Sequence, residues 1–140
     1  YVNDPSLVAQ LDNFVSINAC VEVDLIGQVC SESIGTRQFS GTGGQVDFVR
    51  GASKSKGGQA FITTYSTAKK GTISKIVPTL TPGAHVTTSK NDVDMVVTEF
   101  GVAKLKGKTA SERARELIAI AHPDFKGELT QAAQKMFLLP

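Results

Sequence analysis

The segment FSGTGGQVDFVRGAS, residues 39–53, joins a glycine-rich loop to an apolar run that predicts a helix beginning at Gly43 or Gly44. A glycine loop that leads into a helix presents free backbone N–H groups at the positive end of the helix dipole. Such groups can bind an anion or a developing oxyanion. Gly41, Gly43 and Gly44 could instead form only a tight turn between a strand and a helix. The loop matches neither the Walker A sequence nor G-x-G-x-x-G, so those phosphate-binding motifs do not apply.

Three carboxylates could take part in acid–base chemistry. Glu22 and Asp24 share one face of a predicted strand and could form a carboxylate pair, or they could be the solvated face of a half-buried strand. Glu99 follows the apolar run DMVV at a strand end, where active sites of open α/β sheets gather. A surface glutamate at a strand end is the simpler alternative for Glu99. The sequence pattern supplies no partner for His85 or His122.

Composition limits the classes of function. A chain of 140 residues, 41% of them hydrophobic, predicts one domain spanning 1–140. The net charge of +2 comes from mixed acids and bases without a basic stripe, which argues against nucleic acid as a partner. Cys20 and Cys30 form no CxxC pair and have no His at metal spacing, so we expect a reduced, cytoplasmic protein without a metal site. No apolar run is long enough to cross a membrane.

The elements that must position these residues alternate between helices and strands. Strands interspersed with helices predict an α/β domain with an open mixed sheet and flanking helices. We expect a helix from Asn3-Asp4-Pro5 to about Asn13 and a hairpin that turns at Gly27. Two strands should lie on either side of a turn at 69–71, and Pro78 should either end the second strand or confine it to a sheet edge. A strand VDMVVTEF that stops at Gly101, a capped helix from Thr109 and a last helix over about 127–136 should follow.

Four stretches in their order along the chain are more specific than any one motif. They are VNDP, FVSINACVEVDLIGQVCSESIG, SGTGGQVDFVRGA and TEFGVAKLKGKTASERARELIAIAHPDF. Together they closely resemble the C-terminal domain of the acetyl-CoA hydrolase/transferase family, and within it the 4-hydroxybutyrate and butyrate:acetate CoA-transferases. The resemblance covers essentially the whole chain. It implies a NagB/RpiA-like fold, with an acyl-CoA and a short-chain carboxylate (4-hydroxybutyrate, butyrate or acetate) as substrates.

The resemblance also implies covalent catalysis by an upstream Glu, through an acyl-glutamyl anhydride and an enzyme-CoA thioester. The T-E motif of that nucleophile and the Gly-rich CoA-binding segment before it are absent from these residues. The dipeptide Thr98-Glu99 matches a later family motif, TEFG. We therefore expect the C-terminal part of a longer two-domain enzyme, which partners its own N-terminal domain and forms a homo-oligomer.

Matching positions in the family imply catalytic roles for three residues. The Gly44 N–H is expected to contribute to an oxyanion hole, and the Asn3 amide to donate to the other oxyanion site. Glu99 is expected to help hold the surroundings of the nucleophile.

The family pattern implies CoA-binding roles for four residues. Gly43 and Gly44 are expected against the CoA thioester, Lys69 of YSTAK is expected to reach the CoA, and Cys20 is expected to offer only its backbone. The alternatives to a CoA-transferase are an acetyl-CoA hydrolase, in which water takes the acyl group, and a CoA-binding module without catalysis.

Overall fold

The computed structural model describes all residues 1–140, and a four-stranded sheet forms its centre. The strand order is β1 (Val15–Ala19), β6 (Gln59–Thr63), β10 (Met95–Thr98) and β11 (Gly101–Lys104). The strands β1, β6 and β10 run parallel, while β11 pairs with β10 in the antiparallel direction. The carboxyl ends of the three parallel strands therefore meet at one edge of the sheet.

Four helices and seven short strands complete the fold. The helices are α1 (Pro5–Val8), α2 (Gln45–Lys54), α3 (Ala110–Ala119) and α4 (Pro123–Lys135). The short strands are β2 (Glu22–Asp24), β3 (Val29–Cys30), β4 (Ser33–Ile34), β5 (Arg37–Gln38), β7 (Thr67–Ala68), β8 (Ile73–Ser74) and β9 (Ile76–Val77). A second sheet has the order β3-β2-β9, while β4–β5 and β7–β8 form hairpins. None of the helices is long and apolar enough to cross a membrane.

The core lies on one face of the central sheet. Alternate strand residues such as Ile62, Val96 and Ala103 are fully or almost fully buried there, in one cluster with side chains of α2, α3 and α4. The opposite face carries no helix. It presents apolar side chains that we call the bare face: Val15, Ile17, Phe61, Met95, Val97 and Val102. Ile17 is 68% exposed and Val102 is 54% exposed, although sheets with parallel strands are ordinarily covered on both faces.

The α/β prediction is confirmed, and so are several local elements. The helix after the glycine loop begins at Gln45 with Gly44 as its N-cap. The capping box of α3 forms between Thr109 and Glu112. The hairpin around Gly27 is present as β2–β3, and β9 ends directly before Pro78.

Three predicted boundaries were wrong. The first helix ends at Val8, well before Asn13. The last helix begins at Pro123 and not near residue 127, because proline is favoured in the first turn. Gly101 does not end the strand region: it starts β11, with a φ of +143° that glycine adopts readily.

Candidate active site

A cleft of about 460 Å³ lies at the carboxyl edge of the central sheet. Each parallel strand contributes its end to the lining, which consists of Ala19, Cys20, Thr63, Thr64, Tyr65, Lys75, Val97, Thr98 and Glu99. We call this the strand-end cleft. Such an edge is where open α/β sheets bind their ligands, because the loops diverge there and leave a crevice.

Glu99 is held at this cleft by Ser66, which is fully buried. The Ser66 backbone N–H donates to Glu99 Oε2 at 2.9 Å, and the Ser66 hydroxyl donates to Glu99 Oε1. Partial desolvation opposes ionisation of Glu99, but the hydrogen bonds from Ser66 outweigh it and lower the pKa of the carboxyl below its ordinary value. Glu99 is therefore an ionised, oriented acceptor at neutral pH and a poor proton donor.

The glycine loop stands beside the strand-end cleft without lining it. Its position is fixed by Gln45, the first residue of α2, whose Nε2 donates to the Ala19 carbonyl at the end of β1 at 3.0 Å. Gly43 has a φ of +59°, which suits glycine, whereas Gly44 has a φ of −98° that any residue can adopt. A requirement for glycine at position 44 must therefore come from space and not from the backbone angle.

Asn3 supplies that spatial requirement. A Cβ atom at Gly44 would lie 2.6 Å from Asn3 Nδ2 and 3.0 Å from the ring of Phe48. The structure thus brings two predicted catalytic residues, Asn3 and Gly44, into direct contact. Asn3 is not the cap of α1: Asp4 is, and its Oδ1 accepts a hydrogen bond from Ser6 N at 2.8 Å. The Asn3 amide is left free for another partner.

A second cleft of about 420 Å³ adjoins the first. It contains Lys69 and Thr81 together with the apolar side chains of Ile34 and Ile73, and we call it the lysine cleft. Cys20 and Lys75 line both clefts and so form their shared wall. Two predicted CoA-binding residues, Cys20 and Lys69, therefore lie in the same cleft, while Cys20 and Glu99 share the other.

Cys20 has a buried side chain, and burial raises the pKa of its thiol to about 12, a rise that the nearby Lys75 charge only partly offsets. The thiol is therefore neutral and unsuited to nucleophilic attack. Its carbonyl oxygen does face a partner, since Lys75 Nζ lies 3.4 Å from it.

Both interpretations offered for Glu22 and Asp24 were wrong. The two side chains are buried, with 9% and 2% exposure, so they are not a solvated face. They also do not act as a pair, because each accepts from its own donors. Glu22 accepts from the backbone N–H and hydroxyl of Thr81, and Asp24 accepts from the backbone and side chain of Gln28. These bonds hold the loop after β9 and the β2–β3 turn.

Sequence reasoning missed Lys75 and Ser66. The signal for Lys75 was a lone lysine between the β-branched residues of the predicted strand TISKIVP. Ser66 carried no signal, because its partner Glu99 lies 33 residues away. No group of three or more His, Cys, Asp or Glu side chains lies close enough together to hold a metal ion.

Comparisons with known proteins show the family of this chain. Residues 1–133 match the family model of the acetyl-CoA hydrolase/transferase C-terminal domain. The chain is 70% identical over 136 residues to a succinyl-CoA:cyclohexane-1-carboxylate CoA transferase of Geobacter metallireducens, and 62% identical over 137 residues to a 4-hydroxybutyrate coenzyme A transferase of Clostridium kluyveri. These alignments cover 97% and 98% of this chain, but only 31% and 32% of those proteins.

A solved structure gives the same result in three dimensions. The crystal structure of RipA from Yersinia pestis superposes with a TM-score of 0.93 at 54% identity, over 99% of this chain and 31% of RipA. The chain therefore spans about a third of the length of the relatives that it matches. It belongs to the acetyl-CoA hydrolase/transferase family, as its C-terminal domain.

Proposed function

We propose that this chain forms one part of the active site of a CoA-transferase, which moves CoA between an acyl-CoA and a short-chain carboxylate such as 4-hydroxybutyrate, butyrate or acetate. The observation that carries the proposal is the wall shared by two clefts. Cys20 stands on that wall, with Glu99 in the strand-end cleft and Lys69 in the lysine cleft. An extended thioester needs such a continuous pair of clefts, one for its acyl end and one for its CoA carrier.

In this mechanism a Glu carboxylate outside residues 1–140 attacks the thioester carbon of the acyl-CoA. The C–S bond breaks, and the products are an acyl-glutamyl anhydride and CoA thiolate. The thiolate then attacks the glutamyl carbonyl, which releases the first acid and leaves an enzyme-CoA thioester. The incoming carboxylate repeats these steps in reverse and leaves as the new acyl-CoA.

Each of these steps passes through an oxyanion, and we assign its stabilisation to Asn3 and Gly44. The Asn3 amide lies against Gly44, the N-cap residue of α2, at the helix end where the dipole also favours negative charge. One donor in such a hole contributes about 2.7–4 kcal/mol to transition-state stabilisation. The adjacent Gly43 leaves the backbone bare, so that the thioester can approach.

The exposed apolar side chains of the bare face favour a further part of the same protein as a partner that covers them. Its apolar side chains continue into the strand-end cleft through Ala19, Thr63 and Val97. We propose that the remaining part of the enzyme, including its N-terminal domain and the nucleophile, covers this face and closes the cleft. Replacing Ile17 by Asp should then lower the melting temperature of the full-length protein. A change at a solvated position would leave it nearly unaltered.

Two further parts of the proposal concern the protein as a whole. We infer a homo-oligomer, in keeping with exposed apolar side chains such as Phe137, which is 95% exposed. Light scattering of the full-length protein measures this. We also infer a cytoplasmic location, which the two free, unpaired thiols support.

The deciding experiment incubates the full-length protein with an acyl-CoA and follows it by mass spectrometry. A CoA-transferase gives a covalent CoA adduct on a glutamate and, after addition of a carboxylic acid, the corresponding new acyl-CoA. A hydrolase instead releases free CoA and acid without transfer. A non-catalytic module binds CoA and gives neither product.

A further inference from the structure

Lys75 has no carboxylate partner although it is half-buried at the wall of both clefts. The two ion pairs that involve a Lys or Arg side chain join Arg50 to Asp92 and Lys108 to Glu116. An ammonium group has three hydrogen-bond donors, and the only acceptor of Lys75 Nζ is the Cys20 carbonyl. Their separation of 3.4 Å is longer than the usual 2.7–3.2 Å. The charge is therefore poorly compensated within this chain.

The backbone of Lys75 is held firmly on both sides. Its N–H donates to the Ser66 carbonyl at 2.9 Å, and its own carbonyl accepts from Val23 N at 3.0 Å. Because these bonds use only the main chain, they fix the position from which the side chain reaches the clefts. The fixed backbone therefore places this cation where its side chain can reach an anion in either cleft.

Glu99 does not neutralise this cation. Both of its carboxylate oxygens accept from Ser66, and no ion pair joins Glu99 to Lys75. The strand-end cleft thus holds a carboxylate that Ser66 satisfies and an ammonium group that this carboxylate leaves unpaired. Around Lys75 the lining offers the hydroxyls of Thr63 and Thr64 and the apolar surface of Ala19 and Val97.

We infer that Lys75 is an anion-binding residue of this active site and that its ligand is an anionic oxygen of a substrate. Two sources carry that chemistry. In the strand-end cleft, one cation beside hydroxyl and apolar groups suits the carboxylate of a short aliphatic acid. In the lysine cleft, Lys69 and Lys75 together suit a phosphate of CoA. The inference rests on the proposed CoA-transferase function.

The test compares Lys75→Met with the wild type in the full-length protein. Methionine keeps an unbranched stem and removes the charge, and the backbone bonds of residue 75 are unaffected. Loss of a charge-assisted hydrogen bond should raise the KM of the affected substrate roughly 10- to 100-fold. Lys75→Arg should recover part of the loss. Lys70→Met removes a lysine that lines neither cleft and should leave both KM values unchanged.

The substrate whose KM changes in Lys75→Met shows whether Lys75 binds a carboxylate or a phosphate. A raised KM for the acid, with the KM for acyl-CoA unchanged, assigns the carboxylate. A raised KM for acyl-CoA assigns a phosphate if the effect disappears with an acyl-pantetheine, which lacks phosphates. The inference is overturned if Lys75→Met keeps both wild-type KM values, or if only its melting temperature changes. If the wild-type protein transfers no CoA at all, the proposed function itself is wrong.

Discussion

Replacing Gly44 by Ala adds one methyl group at the contact with Asn3. The Gly44 backbone has a φ of −98° and ψ of 10°, so alanine can adopt it without strain. The new Cβ would lie 2.6 Å from Asn3 Nδ2, whereas ordinary contacts begin near 3.4 Å. The Asn3 amide must therefore withdraw by about 0.8 Å or more, and the ring of Phe48 must shift by a few tenths of an ångström.

The stability of the mutant should change little. Alanine is a poorer N-cap than glycine, but it also restricts the unfolded chain, and the second effect offsets the first by about 0.4–1 kcal/mol. Asn3 is exposed and can move at small cost. We expect the free energy of unfolding to change by about 1 kcal/mol or less, which a melting curve measures.

The rate should change much more. A displacement of about 1 Å in a catalytic donor can cost on the order of a hundredfold in rate. We therefore expect Gly44→Ala to form the enzyme-CoA thioester about a hundredfold more slowly than the wild type, at nearly the same melting temperature. Rapid mixing with acyl-CoA, followed by mass spectrometry of the acid-quenched enzyme, measures this step.

The double mutant Asn3→Ala/Gly44→Ala shows whether the slower thioester formation is caused by the displacement of Asn3. If the methyl group acts by displacing Asn3, then Asn3→Ala/Gly44→Ala is no slower than Asn3→Ala, because no amide remains to be displaced. If the methyl group acts on the substrate, the two losses multiply. A folded Gly44→Ala mutant with wild-type thioester formation would refute the reasoning and leave the loop as a turn.

Three further outcomes are expected. Asn3→Ala should lower kcat roughly a hundredfold or more without changing CoA affinity or melting temperature. The control Asp4→Ala removes the N-cap of α1 and should lose about 1 kcal/mol of stability. An effect of Asn3→Ala on KM alone would contradict the oxyanion role. Since the Ser66 hydrogen bonds hold the pKa of Glu99 below its ordinary value, the ionised form contributes its full stabilisation of the fold above that ordinary value. The wild type should therefore melt at a higher temperature than Glu99→Gln, and this difference should shrink as the pH falls through the pKa of Glu99 in the folded state. A difference in melting temperature that does not change with pH would contradict this account. Asp24→Ala should cost about 1–3 kcal/mol, because it leaves the partly buried N–H groups of Ile26 and Gln28 without their acceptor, and Asp24→Asn should cost less. Equal losses of the two mutants in denaturation would contradict that account.

Local signals in the sequence predicted the local elements well. The helix after the glycine loop, the capping box at Thr109 and the strand end before Pro78 each depend on residues within one turn of each other. Strand β11 was missed because Gly101 was interpreted as a stop. The residues VAKL after it alternate between exposed and buried positions, a pattern that predicts a strand.

The site depended on contacts that no local pattern contains. Neither alternative for Glu22, a carboxylate pair or a solvated face, included its donor Thr81, because Thr81 lies 59 residues further along the chain. The contact between Asn3 and Gly44 likewise joins two distant segments. The family resemblance did single out Asn3, Gly44, Cys20, Lys69 and Glu99. It did not indicate which of them touch.

Ser66 explains why the two charges of the strand-end cleft stay apart and in place. It is fully buried, and it donates twice to Glu99 while its carbonyl accepts from the Lys75 backbone. One residue thus fixes both the carboxylate after β10 and the origin of the ammonium side chain after β8. Because Ser66 and not Lys75 satisfies the Glu99 carboxylate, the free donors of Lys75 remain available to a ligand. A site whose polar groups are oriented before the substrate arrives requires little reorganisation when charge develops, which is the condition for electrostatic catalysis.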